Sequence, residues 1–198
     1  MHVLDKRSTK AFFLKSAYDL SSIGFLKRKF VREGIDFGVR TCVERAECEK
    51  PTRIETEEVE GFVVWLYTDK SNISAVLISD KEYPEKPAIM ALKKILKEFY
   101  QFFTLNDAKS MTEEKNDSFP ALDALLQKYQ DPFEVDKLMK VESDLNEIQD
   151  ILQKTMKDML QRGEDLDQLM KQSEDISALA YQFHDKSKKA NKTCCSIY

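Results

Sequence analysis

Apolar positions in the first 130 residues alternate between the two-residue repeat of a strand and the longer repeat of a helix. Residues 10–20 read as a strand entering a turn, and 25–46 have helical spacing. Pro51 ends that helix and precedes a predicted edge strand. The runs 60–69 and 72–80 are rich in β-branched and aromatic residues, which predicts a hairpin.

Two more helices follow the hairpin. Residues 88–103 form an amphipathic pattern with Leu92, Ile95, Leu96 and Phe99 facing inward. Residues 104–120 read as a polar loop, and 121–130 as a short helix ended by Asp-Pro. This order of elements predicts an α+β domain in which helices pack on an antiparallel sheet.

The second part of the chain has a different repeat. Steps of three and four residues from Leu138 define sixteen consecutive heptad positions, twelve of them apolar and three small and hydroxylated. The pattern predicts a coiled coil of about 53 residues, or about 80 Å of helix. Its core positions, apart from one arginine, are Leu138, Val141, Leu145, Ile148, Leu152, Thr155, Met159, Leu166, Leu169, Ser173, Ile176, Ala180, Phe183, Ser187 and Ala190.

Arg162 occupies the remaining core position, with seven core positions before it and eight after it. One interpretation is a local change of register, with the side chain reaching out to solvent. The other is a buried polar layer, which fixes register and helix number at a cost in stability. A buried guanidinium offers five donors and requires acceptors on partner helices. The central position favours the second interpretation.

Composition excludes several classes of protein. The net charge of −4 arises within residues 131–198 and does not indicate a nucleic-acid partner. The sequence has no phosphate-binding loop, no dinucleotide fingerprint, no metal-ligand cluster and no nucleophile–base pair, so we expect no enzyme, no catalytic residue, no metal and no cofactor. It shows neither a signal peptide nor a membrane-spanning run, and its four cysteines suggest reduced thiols in the cytosol.

The last four residues, Cys195 to Tyr198, have the form of a prenylation signal, and Cys194 offers a second lipid site. A terminal tyrosine resembles phenylalanine in bulk, which favours geranylgeranyl over farnesyl. An unmodified tail is the alternative. Four lysines at positions 186, 188, 189 and 192 would attract anionic headgroups, and two lipids anchor a protein stably where one binds reversibly.

The heptad helix with its central arginine, followed by Arg-Gly-Glu-Asp-Leu-Asp-Gln-Leu, resembles the R-SNARE motif. Residues 1–130 resemble a longin domain, the profilin-like α/β module of some R-SNAREs. The stretches Ala-Tyr-Asp-Leu-Ser-Ser, Ser-Asp-Lys-Glu-Tyr-Pro and Lys-Tyr-Gln-Asp-Pro, together with the Cys-Cys tail, are similar to the lipid-anchored branch. Two features depart from that family: a short N-terminal strand, which leaves the completeness of the sheet edge there open, and glycines 34 and 38 in the first helix. Two glycines four residues apart indicate close packing or a mobile helix more often than a ligand site.

The resemblance implies a longin domain at 1–130, an R-SNARE motif at 131–193 and a lipidation tail at 194–198. It also implies three Q-SNARE helices as partners, each giving a glutamine to Arg162 in a parallel four-helix bundle. Phe37 matches the aromatic residue with which the longin surface holds the SNARE helix inactive. The anionic membrane would be contacted by a prenyl group on Cys195, a second lipid on Cys194 and the basic tail.

These expectations place the protein in the cytosol and on the cytoplasmic face of endomembranes, namely the endoplasmic reticulum, Golgi, endosome or vacuole. The alternative function is a longin-domain tether or adaptor subunit whose coiled coil is a permanent scaffold. Arg162 distinguishes the two, because a permanent scaffold has no need of a central arginine layer. A lipidated enzyme such as a small GTPase is disfavoured by the missing phosphate loop.

Overall fold

The computed structural model describes residues 1–7, 10–56, 62–111, 118–133, 135 and 150–194, with side chains up to residue 188. We call residues 1–135 the N-terminal domain and 150–194 the C-terminal segment. The strands are β1 (His2–Lys6), β2 (Ala11–Ser16), β3 (Thr52–Glu55), β4 (Phe62–Thr68), β5 (Ile73–Asp80) and β6 (Leu152–Thr155). The helices are α1 (Phe25–Arg45), α2 (Glu85–Phe102), α3 (Leu105–Ser110), α4 (Pro120–Lys128), α5 (Met156–Met159), α6 (Leu166–Gln172) and α7 (Ala178–Cys194).

The six strands form one mixed sheet in the order β2-β1-β5-β4-β3-β6. The five strands of the N-terminal domain pair antiparallel, as the sequence predicts. β6 comes from the C-terminal segment and pairs parallel with β3. The protein is therefore α+β, and the C-terminal segment completes the sheet.

Helices cover both faces of the sheet, so the strands bury apolar side chains alternately on two sides. In β4, Val63 and Trp65 face the core under α2 and α4, whereas Val64 and Leu66 face the core under α1. The amphipathic helix α2 buries Leu92, Ile95, Leu96 and Phe99, which confirms their predicted inward orientation.

One local prediction in the N-terminal domain is wrong, and one open question has an answer. The loop predicted at 104–120 contains α3, whose start is a capping box: Asp107 N donates to Thr104 Oγ1, and Thr104 N donates to Asp107 Oδ2. Such reciprocal bonds satisfy the first free amides of a helix and make a short polar helix possible. The sheet edge near the N-terminus is also complete, because β1 pairs with both β2 and β5.

The glycines of α1 do not mark close packing. A Cβ atom built on Gly34 or Gly38 meets no other atom within 4 Å. Both residues lie inside the 21-residue helix. The close-packing alternative is therefore wrong, and the mobile-helix alternative stays a prediction.

The single helix predicted over 138–190 is not formed in this structure. The C-terminal segment instead contains β6 and three separate helices, joined by turns. The core positions Leu138, Val141, Leu145 and Ile148 lie outside the described residues. The physical reason is that a narrow apolar stripe needs other surfaces to cover it, and here the N-terminal domain provides one.

Candidate interaction surface

The C-terminal segment begins its contact with the N-terminal domain as a strand. β6 runs along β3 with Thr52 opposite Leu152 and Glu55 opposite Thr155. Thr155 then starts α5 through a second capping box, accepting from Asp158 N at 3.2 Å and donating its own N–H to Asp158 Oδ2 at 2.8 Å. These hydrogen bonds, the backbone bond first, lower the pKa of Asp158. The change from strand to helix is thus encoded locally.

α5 places two methionines in the core beneath α1. Met156 and Met159 are 6% and 4% exposed and join the apolar cluster that includes Val43 and Ile54. Met156 Sδ lies 4.0 Å from the thiol of Cys42. Burial raises the pKa of that thiol to about 12. Side chains of the C-terminal segment therefore form part of a core that the N-terminal domain does not close alone.

A turn follows at the centre of the heptad pattern. Arg162 is exposed there, and Gly163 has φ = +91°, a conformation that side-chain-bearing residues rarely adopt. Arg45 of α1 binds Glu164 with its Nη2 at 3.1 Å from Oε1 and its Nε at 3.3 Å from Oε2. The hydrogen bonds from Arg45 lower the pKa of Glu164. The helix therefore breaks at the arginine layer, and the break is fixed to α1.

α7 returns along α1 in the opposite direction. The amide of Ser177, just before α7, donates to Glu33 Oε2 at 3.0 Å. Further along α7, the ring of Phe183 lies 6.4 Å from that of Phe30, and the Lys27 ammonium lies 5.8 Å from its centroid. Contacts move toward the start of α1 as α7 proceeds, so the two helices are antiparallel.

Ion pairs add to this contact at several points. Asp175 lies 2.9 Å from the ammonium of Lys10 and 3.4 Å from the guanidinium of Arg40. Lys154 reaches Glu47 at 3.0 Å, and hydrogen bonds from Lys50 and Lys154 lower the pKa of Glu47 to about 2. Most of these pairs are partly exposed, so solvent screens them and each contributes little to stability. These ion pairs fix the position of the C-terminal segment along the N-terminal domain more than they stabilise the contact.

The predicted core positions share no single environment here. Met159 and Ala180 are buried, whereas Arg162 and Ser187 are exposed. Ala190 lies in α7, beyond the described side chains. The half-buried core positions are Leu152, Thr155, Leu166, Leu169, Ser173, Ile176 and Phe183. The N-terminal domain therefore covers part of the heptad stripe and leaves the central Arg162 exposed to solvent.

Sequence reasoning missed the positions next to the stripe. In the heptad register, Met156, Gly163, Met170, Ser177 and His184 all follow a core position directly, in the column called e. Met156 and Met170 are buried against the rest of the protein, and Gly163 forms the turn. The missing signal was available: this column carries no Asp, Glu, Lys or Arg from 156 to 184.

Phe37 and the terminal cysteines complete the predicted set. Phe37 is half-buried on α1, the helix whose Phe30, Glu33 and Arg45 contact the C-terminal segment. Cys194 ends α7, and Cys195 lies outside the described residues. Within the parts of the chain that are described, no helix has the length and apolar character needed to cross a membrane.

Comparison with known proteins identifies both parts of the chain. Residues 20–126 match the regulated-SNARE-like domain of the longin family, and residues 137–196 match the synaptobrevin family. The chain is 38% identical over 190 residues to the synaptobrevin homolog YKT6 of Saccharomyces cerevisiae, covering 95% of this chain and 92% of the relative. It is 38% identical to ykt6 of Schizosaccharomyces pombe, covering 93% and 90%, and 35% identical to YKT6 of Eremothecium gossypii, covering 98% and 96%. The chain therefore belongs to the family of longin-domain R-SNAREs, the synaptobrevin homologues, which are not enzymes.

Proposed function

We propose that this R-SNARE acts in vesicle fusion by zippering its heptad segment with three Q-SNARE helices into a parallel four-helix bundle. The observation that carries the proposal is the run of sixteen core positions with Arg162 at its centre. Partner glutamines at that level would accept the hydrogen bonds of the guanidinium. Zippering toward the C-terminus would draw two membranes together.

We further propose that the arrangement described above is a closed, inactive state. Met159, Leu166 and Ala180 are core positions of the bundle, and in the closed state they are buried or half-buried against the rest of this chain. The same side chains cannot face two surfaces at once. The turn at Gly163 also prevents the continuous helix that a bundle requires. Binding to partners and binding to the N-terminal domain are thus mutually exclusive.

Burial indicates how strongly the closed state resists opening. Met156 and Met159 are almost fully buried. Burying one such side chain contributes about 1.5–3 kcal/mol relative to exposing it. The bundle must compete with this burial, so the closed state lowers the apparent affinity for partner helices.

Membrane attachment would come from lipids on the C-terminal cysteines. We propose a prenyl group on Cys195, read as the fourth residue from the end, and a second lipid on Cys194. Cys195→Ser is expected to leave the protein unattached, and Cys194→Ser to give weak, reversible attachment. Intact-mass spectrometry of membrane-bound protein tests this, and an unmodified C-terminus in that fraction would refute it. Cycling between the cytosol and endomembranes follows from such an anchor.

The bundle is tested by capture of partners from a detergent extract of membranes. The full chain and a Met156→Asp variant, which opens the closed state, are used as baits, and bound proteins are identified by mass spectrometry. We expect SNARE helices carrying glutamine at the level of Arg162, captured more strongly by the variant. If Met156→Asp and Arg162→Leu both capture the same proteins in the same amounts as the full chain, the protein is instead a permanent tether or adaptor.

A further inference from the structure

The first turn of α1 carries two large apolar side chains in solvent. Phe25 and Leu26 are 81% and 83% exposed, the two highest values among the large exposed hydrophobic side chains of the described residues. They follow Gly24, the N-terminal cap, so they lie at the tip of a 21-residue helix. Both side chains are exposed in the closed state as far as the chain is described, and neither lies in the segment that would form the bundle. We call Phe25 and Leu26 the apolar tip.

The apolar tip is surrounded by positive charge. Residues 20–32 contain two lysines and two arginines and no acidic residue. Lys27 and Lys29 are exposed, whereas Arg28 donates to the carbonyl of Ile23 and Arg32 lies 3.9 Å from Asp36. The N-terminus of a helix adds a partial positive charge. The exposed ammonium groups of Lys27, which also contacts the ring of Phe183, and of Lys29 thus lie beside the apolar tip together with the helix end.

Packing of α7 against α1 places the end of α7 at the same end of the molecule as the start of α1. Lys27 and Phe30 lie beside Phe183, and α7 continues to Cys194. Eleven residues of helix correspond to about 16 Å, while α1 begins only a few residues from that contact. α7 therefore extends past the start of α1, at the end of the molecule where α1 carries the apolar tip.

We propose that the apolar tip is a membrane-insertion site for the surface of an anionic bilayer. Phe25 and Leu26 enter the interface between headgroups and acyl chains, and Lys27 and Lys29 contact anionic headgroups. The protein then meets the membrane at one end, through the tip and the C-terminal anchor together. The proposal relies on the proposed function only for that anchor, and the experiment removes it.

The charge pattern favours a bilayer over a protein partner. A protein groove for this pair would require a shape that complements one exposed helix turn, whereas a bilayer requires only apolar side chains bordered by cations. Basic residues near the surface are attracted to anionic lipid, and salt screens this attraction. The expected binding is therefore weak alone, dependent on anionic lipid, and useful in combination with a lipid anchor.

The test is sedimentation of the full chain with vesicles. The protein carries Cys194→Ser and Cys195→Ser, so that no lipid can be attached. It is mixed with vesicles of phosphatidylserine and phosphatidylcholine, or of phosphatidylcholine alone. Phe25→Ser combined with Leu26→Ser removes the tip. Phe133→Ser is the matched control, because Phe133 is 75% exposed elsewhere on the surface.

We expect binding to the anionic vesicles only, weakened by salt. The tip variant should bind at least about tenfold more weakly, because two apolar side chains no longer leave water. The Phe133→Ser control should bind as the parent protein does, and circular dichroism should show all variants folded. Equal binding by the tip variant and the control would overturn the proposal.

Two further readouts separate the alternatives. If the tip variant keeps its vesicle binding and loses self-association in analytical ultracentrifugation, the tip contacts a second copy, which overturns membrane insertion. Partner capture by the tip variant should remain that of the parent protein. Failure of all variants to capture SNARE partners would overturn the proposed function and leave the vesicle result standing.

Discussion

Gly163 controls the balance between the closed state and the bundle. In the closed state it has φ = +91°, and an added Cβ would meet no atom within 4 Å, so only the backbone conformation opposes a larger residue. In the bundle the same residue would lie inside a continuous helix. Gly163→Ala therefore acts against the turn and in favour of the helix, without changing Arg162 or any other core position.

The magnitude follows from two contributions. A left-handed conformation costs alanine about 1 kcal/mol or more relative to glycine. In a helix interior, alanine is favoured over glycine by about 1 kcal/mol. In Gly163→Ala, the equilibrium constant for opening the closed state to an unstructured segment should rise about fivefold, because only the first contribution applies. The apparent affinity for the partner helices should rise about 30-fold, because both contributions apply when the bundle forms.

Hydrogen exchange measures the first quantity. We expect exchange of the amides of 152–172 to be about fivefold faster in Gly163→Ala than in the parent protein. Gly34→Ala is the matched control, because Gly34 is helical within α1 and its added Cβ also meets no atom. The control should leave 152–172 unchanged. Unchanged or slower exchange in Gly163→Ala would refute the assignment of Gly163 as the residue that fixes the turn.

Four further predictions address the same balance. Met156→Asp should destabilise the closed state by several kcal/mol, because it buries a carboxylate next to Cys42. Gln182→Asp, at an exposed site, should leave its stability unchanged, and thermal unfolding followed by Trp fluorescence compares the two variants. Phe37→Glu should speed hydrogen exchange in 150–188, and equal rates would exclude a role for this half-buried ring. Arg162→Leu should leave that exchange unchanged, since the side chain is exposed in the closed state, and should impair partner selection in capture experiments. The pKa of Glu164 is lowered, so Glu164 stabilises the closed state above pH 4.5 and this stabilisation is lost as the pH falls through the lowered pKa. Hydrogen exchange, corrected for intrinsic rates, should therefore be faster near pH 4 than near pH 7. The difference between the two pH values should be smaller in Glu164→Gln.

The fold of the N-terminal domain follows from the sequence because each strand and helix buries a periodic set of side chains. The apolar patterns predict the β4–β5 hairpin as two strands and name the four inward positions of α2. α3 was missed because its signal is a capping pair, Thr104 with Asp107, and not an apolar period. Local hydrogen-bonding signals of this kind are weaker than hydrophobic periodicity.

The C-terminal segment could be predicted only for one of its two environments. The repeat from Leu138 to Ala190 encodes a helix among partners, and it dominates the pattern. The closed state is encoded in fewer residues: the capping box at Thr155, the turn at Gly163 and the methionines of the e column. When one segment forms two structures, the long heptad repeat of the bundle is easily seen in the sequence. The few residues that specify the closed state are recognised only from their packing in the structure.

A distance within the C-terminal segment distinguishes the closed state from the bundle. Spin labels at Lys157→Cys and Gln182→Cys occupy exposed sites, in a protein whose Cys48, Cys194 and Cys195 are serine and whose Cys42 remains buried. In the closed state the segment follows α1 from Cys42 to Phe30, twelve residues, so the labels should be separated by about 20 Å. With partner helices bound, a continuous helix of 25 residues should separate them by about 38 Å. A shift from the shorter to the longer distance on adding partners would confirm the switch, and a single distance unchanged by partners would contradict it.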